Sequence, residues 1–242
     1  MVSGAVALAL LVLWRNPDVR ALARTGSWAS SAALLVYAAA FSLAYLALDA
    51  GLGALILFAG VQVTMFAGSL LAGESLHPAR WLGAAVGLSG LARLLAPGAT
   101  APPLWAAGMM TLAAAGWGVY SLRGRVAKDP LADTAGNFLR AAPAALALWL
   151  VLPGDAALSR YGVALAVASG ALASGLGYAL WYAVLPRMEA SLAAVAQLTV
   201  PLIALAGGIL FLSEVATLRF GVAAILVIAG VLIAIYGPRV AR

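Results

Sequence analysis

Side chains able to do chemistry are sparse in this sequence, and nearly all of those inside its apolar runs are uncharged. Gln62 and Thr64 stand mid-way along one run, and Gln197 and Thr199 along another. An unpaired amide in an apolar medium costs roughly 2–7 kcal/mol. Each Gln therefore needs either a partner on a neighbouring helix or a wet cavity. Interhelical hydrogen bonds in membranes are worth only ~0.6 kcal/mol on average. A Gln and Thr pair in both runs tips the balance toward a central site for a solute. Pro201 adds a backbone argument, because it cannot donate to the carbonyl of Gln197 and its ring kinks the helix. The freed carbonyl, beside an amide side chain, is a candidate substrate contact, as at the broken helices of transporters. The competing reading is a kink used for packing alone.

Aromatic residues form the second set. Trp117 and Tyr120 are three apart, Phe41 and Tyr45 four apart, and Tyr178, Trp181 and Tyr182 recur at i, i+3 and i+4. Helical spacing of this kind puts each group on one face. Such faces can pack as core, join an interfacial belt, or line a cavity for a solute with an apolar body and polar ends. Trp117 and Tyr178 lie deepest in their runs and best fit the cavity. The candidate solute contacts are therefore Gln62, Thr64, Gln197, Thr199, Pro201, Trp117, Tyr120, Tyr178, Trp181, Phe41 and Tyr45.

An enzyme would need clustered acids, bases or nucleophiles. The chain has one His, His77, beside Pro78 in a loop, and no Cys. No catalytic residue, metal site or cofactor is expected. The absence of a charge near any span centre also argues against coupling through a buried carboxylate.

The elements that must position these residues follow from composition. The chain has 242 residues, of which 65% are hydrophobic and 9% charged. Soluble domains carry roughly 25% charged residues, so the bilayer is the solvent here. Backbone groups in lipid need internal partners, which restricts the spans to helices or a closed barrel. Continuous apolar runs such as Ala223–Tyr236 exclude the alternation of barrel strands. The pattern predicts an all-α membrane protein with about nine spans, at 2–14, 28–48, 52–72, 79–95, 104–122, 137–153, 161–185, 191–212 and 217–237. Short connections hold most of the charge. With the C-terminus in the cytoplasm, only Arg93, Arg160 and Arg219 of the 14 Lys and Arg residues face outward, as the positive-inside rule requires. The net charge of +6 is thus explained by topology, and no nucleic acid is expected as a partner. The expected partners are the lipid bilayer and a small-molecule substrate.

An internal repeat appears at an offset of 140 residues. Leu52 meets Leu192, Ala54 meets Ala194, Gly68 meets Gly208, Gly90 meets Gly230, and Asp49-Ala50 meets Glu189-Ala190. Glu74 meets Glu214 at matching span ends. The division is a first repeat over 1–95, a linker over 96–103 (Ala96–Pro103, APGATAPP), and a second repeat over 104–242. The second copy has five spans and the first has four. An odd number of spans per copy makes the copies inverted. The expectation is a five-plus-five plan that lacks its first helix ahead of Met1.

Several stretches resemble the EamA-type transporters of the drug/metabolite transporter superfamily: Trp117–Arg125 (WGVYSLRGR), Thr134–Phe138 (TAGNF), Leu55–Met65 (LILFAGVQVTM), the span ends Leu71–Glu74 (LAGE) and Phe211–Glu214 (FLSE), and Pro201 in mid-span. The resemblance implies ten helices in two inverted five-helix repeats, cytoplasmic termini, and uptake or export of small metabolites across the plasma (cytoplasmic) membrane. The function expected is a secondary transporter, an exporter of small organic metabolites such as amino acids, working by alternating access across a central cavity. The alternative is a truncated, non-transporting remnant or scaffold of the same family.

Overall fold

The computed structural model describes residues 1–48, 50–95, 102–151, 159–212 and 217–240. Asp49, Glu214, Arg242, positions 152–153 and linker positions 96–101, all used in the sequence reading, lie outside the described residues. Every element is helical among the described residues: α1 Val2–Arg15, α2 Val19–Arg24, α3 Trp28–Ala44, α4 Ala50–Leu71, α5 Pro78–Leu95, α6 Leu104–Gly124, α7 Pro130–Val151, α8 Arg160–Ala168, α9 Gly177–Val184, α10 Ala190–Ala196, α11 Val200–Leu212 and α12 Leu218–Val240. A π-helical stretch, Ser169–Leu176, joins α8 to α9, and a 3₁₀ turn, Gln197–Thr199, joins α10 to α11. The stretches Leu52–Leu71, Arg160–Arg187 and Leu218–Pro238 are long and apolar enough to cross a bilayer; Val2–Arg15, Trp28–Ala44 and Ala190–Ile203 are apolar but shorter.

Two departures from the sequence reading have local causes. The short helix α2 was not expected. Asp18 caps it, its carboxylate accepting from the N–H groups of Arg20 (2.8 Å) and Ala21 (3.0 Å), as N-cap Asp residues do. The helix expected at 137–153 begins at Pro130. Asp129 is its cap, accepting from the N–H of Ala132 at 3.2 Å, and Pro130 fills the first helical position, where no N–H is needed. The longer helix also changes the place of Arg140, which lies near the start of the expected span at 137–153 but near the middle of α7. Its guanidinium donates to the carbonyls of Thr25, Ala23 and Gly136 and lies 5.6 Å from the Trp28 ring centre. A cation thus closes the C-terminal end of α2, where the helix dipole is negative.

The chain forms two compact units. The first comprises Met1–Ala39 and Val119–Arg187, and the second Ala40–Gly118 and Met188–Arg242. Each takes helices from both sides of the 96–103 linker. In the first unit, α1 packs on α7 and on the π-helical stretch, and Arg15 pairs with Asp129. Gly175 is buried there against Gly4. In the second unit, α5 lies along α12 and α10 against α4. Gly83-x-x-x-Gly87 on α5 packs closely on Gly230 of α12. A β-carbon on Gly83 would stand 2.5 Å from the Gly230 carbonyl oxygen, so two backbones touch with no side chain between them, as in small-residue membrane contacts.

Candidate functional site

The two central glutamines lie in the second unit. Gln62, on α4, is 4% exposed, and its Nε2 donates to the Ala194 carbonyl of α10 at 2.8 Å. Its Oε1 is buried with no hydrogen-bond partner among the described residues. Gln197, 5% exposed, accepts at Oε1 from the indole N–H of Trp117 on α6. Its Nε2 reaches Met65 Sδ at 3.1 Å and the Ala193 carbonyl at 3.4 Å. Of the two alternatives for a buried amide, helix partner or wet cavity, the observed geometry is the helix partner, except at Gln62 Oε1. The Thr64 hydroxyl donates to the Gly60 carbonyl and the Thr199 hydroxyl to the Ala196 carbonyl, each at 2.8 Å along its own chain segment. Both act as back-bonding hydroxyls.

Pro201 has the backbone consequence expected of it, but the freed carbonyl is a correction. The Gln197 carbonyl accepts from the N–H of Val200, because the chain tightens into the 3₁₀ turn at Gln197–Thr199. An i→i+3 bond takes the place of the i→i+4 bond that proline forbids. Phe41 and Tyr45, also in this unit, meet edge to face with centroids 4.7 Å apart, and the Tyr45 ring covers Gly53.

These contacts give a first expected result. Gln197→Leu strips the Trp117 indole of its acceptor and deletes two further contacts. It should destabilise the protein by ~1–2 kcal/mol, near the upper end for interhelical bonds in membranes. Gln62→Leu removes one bond together with the unmatched Oε1 and should cost less than ~0.5 kcal/mol, since replacing a half-satisfied polar group by an apolar one is close to neutral. Thermal midpoints in detergent read the difference; equal losses would show that the Trp117 contact carries no weight.

The remaining aromatic candidates lie in the first unit, so Trp117 and Tyr120, though neighbours on α6, belong to different clusters. Tyr120 and Tyr182 stack with centroids 4.5 Å apart, and Tyr178 joins Tyr120, Phe138 and Tyr37 at 6.5, 5.8 and 6.3 Å. The Tyr182 hydroxyl donates to the Tyr120 carbonyl at 3.1 Å, and Tyr178 and Tyr37 hydroxyls stand 3.3 Å apart. Trp181 donates from its indole to Ser121 at 3.0 Å. Tyr120 and Phe138 are fully buried. This is a packed aromatic core in which Tyr178, Trp181 and Tyr182 pair their polar ends within the unit.

A cavity of about 140 Å³ adjoins that core, lined by Ser27, Ser30, Arg123, Asp133, Asn137 and Tyr182 among others. It sits where α3 starts, α6 ends and α7 starts. Ser27 caps α3, its hydroxyl accepting from the Ser30 N–H at 3.1 Å. Arg123 donates to the Ser30 and Ser27 hydroxyls at 2.9 and 3.1 Å. The Asn137 side-chain oxygen accepts from Ser27 N–H (2.9 Å) and Asp133 Oδ1 from Gly26 N–H (3.0 Å). Sequence reading missed this group. Two cap signals, Ser27-Trp-Ala-Ser30 and Asp129-Pro130, mark its edges, but its members are about a hundred residues apart in the chain.

A family model described as the EamA-like transporter family matches residues 104–236. The chain belongs to that family. A relative from Pseudomonas aeruginosa, uncharacterized protein PA1977, is 49% identical over 241 residues, covering 99% of this chain and 83% of its own. A crystal structure of a protein 21% identical superposes with a TM-score of 0.81 over 96% of this chain and 83% of the other, which shows the shared fold. Members of the EamA-like family are membrane transporters of small solutes, not enzymes. This chain is accordingly an integral membrane protein whose partners are the bilayer and small molecules. The segment matching the EamA-like family includes Trp117, Arg123 and Gln197; Gln62 precedes it.

Proposed function

We propose that this chain is a secondary transporter that exports small organic metabolites such as amino acids from the cytoplasm by alternating access. Membership of the EamA-like family over residues 104–236 carries the reading. Nine spans in two inverted repeats, 1–95 and 104–242, fit the 140-residue internal offset, with five apolar runs in the second copy and four in the first. The Lys and Arg distribution favours a cytoplasmic C-terminus in the plasma membrane.

The solute contacts we assign are Gln62, Thr64, Gln197, Thr199, Pro201, Trp117, Phe41 and Tyr45 in the second unit, and Tyr120, Tyr178 and Trp181 in the first. Gln62 is the strongest of them. Its Oε1 is a buried acceptor with no partner among the described residues, and a solute N–H or ammonium reaching it would supply the missing donor. Helix motion during access would have to expose it.

The test is counterflow of radiolabelled amino acids in proteoliposomes. Loaded vesicles should accumulate label several-fold over protein-free controls. Gln62→Leu should cut that accumulation at least tenfold, while its thermal midpoint stays near that of the parent. No counterflow and no binding of any amino acid or related solute would overturn the reading.

A further inference from the structure

We propose that the cavity between the starts of α3 and α7 and the end of α6, all within the first unit, is a binding site for a small zwitterion. Arg123 with the Ser27 and Ser30 hydroxyls would hold its anionic group, and Asp133 with the Asn137 side-chain oxygen its ammonium. This site goes beyond the transport reading and stands whether or not solute flux is found.

Opposite charges that face one small space normally close on each other. Here Arg123 and Asp133 both line the cavity of about 140 Å³, yet neither forms an ion pair among the described residues. Each is held apart by a neutral partner that is itself fixed. Arg123 is engaged by two hydroxyls, at 2.9 and 3.1 Å, and both belong to the capped start of α3. Among the described residues Asp133 is engaged through Oδ1 alone, by the N–H of Gly26 at 3.0 Å. Gly26 has φ of +68°, and a β-carbon there would meet Asn137 Oδ1 at 2.7 Å. The turn that fixes Asp133 is therefore one only glycine can make.

Asn137 is 1% exposed and Ser30 is 6% exposed, so the floor of the cavity is built of buried polar groups held in place before any ligand arrives. Preorganised groups of this kind bind without the ordering cost of mobile ones. The charges also select. A simple anion drawn to Arg123 would face the Asp133 carboxylate, and a simple cation drawn to Asp133 would face the guanidinium. A ligand carrying both charges meets an opposite charge at each end, and like-charge juxtaposition penalises the others.

Two sources supply such a ligand, a free solute and the phosphoethanolamine headgroup of a lipid. Calorimetry on detergent-solubilised protein should show O-phosphoethanolamine binding at least tenfold more tightly than inorganic phosphate or ethanolamine. Asp133→Asn keeps an acceptor for Gly26 N–H, so it should fold normally while losing the preference for phosphoethanolamine over phosphate. Arg123→Gln should weaken phosphoethanolamine at least tenfold. In nanodiscs of phosphatidylglycerol the soluble probe should bind as in detergent. If nanodiscs of phosphatidylethanolamine block it, the lipid headgroup is the occupant; if they do not, a free solute is. Phosphate binding as tightly as phosphoethanolamine, an Asp133→Asn protein with unchanged preference, or no probe binding in either detergent or phosphatidylglycerol would each overturn the proposal.

Discussion

Gly230→Val is expected to lower the stability of the protein by more than ~3 kcal/mol, beyond the usual range for overpacked cores. The reason is what a β-carbon at this position meets. It would stand 2.5 Å from the Gly83 carbonyl oxygen and 2.8 Å from the Gly87 amide nitrogen. Both are backbone atoms of α5, so no rotamer change relieves the clash, and only separation of α5 from α12 does. That seam is the principal packing of the second unit. Without the hydrophobic effect to hold helices together in lipid, close approach is the main source of their attraction. The comparison is Gly221→Ala on the same helix, where a β-carbon meets nothing within 4 Å. That change should be neutral or stabilising by up to ~1 kcal/mol through helix propensity. Thermal unfolding in detergent measures both. A Gly230→Val protein that melts with the parent would mean that the seam contributes little.

The second large effect is an asymmetry between two partners. Arg80 is 5% exposed and donates to the Ala234 carbonyl of α12 and, at 2.8 Å, to Glu189 ahead of α10. The Glu189 side chain is 63% exposed. Glu189→Ala leaves a buried guanidinium without its counter-charge. Loss of one partner of a fully buried pair costs about 3–5 kcal/mol; because the carboxylate end is wet, ~2–3 kcal/mol is expected here. Arg80→Met removes the buried charge together with its desolvation penalty and keeps the apolar stem, so a loss within ~1 kcal/mol is expected. The double substitution should match Arg80→Met. If instead Arg80→Met proves the more damaging of the two, the bond to the Ala234 carbonyl, not the ion pair, holds α5 to α12.

Most helices of this protein are legible in its sequence, because an apolar run long enough to span lipid leaves few alternatives. The misses fall where a local signal was outweighed by hydropathy. Pro130 and Asp133 are not apolar, so hydropathy starts the span at Asn137, although Asp129-Pro130 is a cap followed by a first-turn proline. Asn16-Pro17-Asp18 is a turn signal, and its Asp18 also caps α2. The 3₁₀ turn before Pro201 is foreshadowed by the proline, but the acceptor of the Val200 N–H is a matter of three-dimensional geometry. The candidate site divides similarly. That Gln62 and Gln197 are buried follows from their neighbours. Their partners do not, because Ala194 offers a backbone carbonyl that any residue would offer. Arg123, Ser27 and Asp133 meet only through the packing of segments distant in the chain.

The π-helical stretch Ser169–Leu176 bears on how this chain should be compared with its relatives. An α-helix advances about 3.6 residues per turn, and each wider i→i+5 turn takes up more chain for the same rotation. The side chains beyond the stretch, Tyr178, Trp181 and Tyr182, are therefore out of phase with those of α8. They keep their mutual spacing on α9 while their azimuth is set by the turns before them. A helical wheel drawn through 161–185 as one cylinder would aim all three at the wrong neighbours. In a relative that is α-helical throughout, the same aromatic triplet would need a shorter span to reach the same partners, and the alignment gap would belong inside a continuous helix instead of a loop.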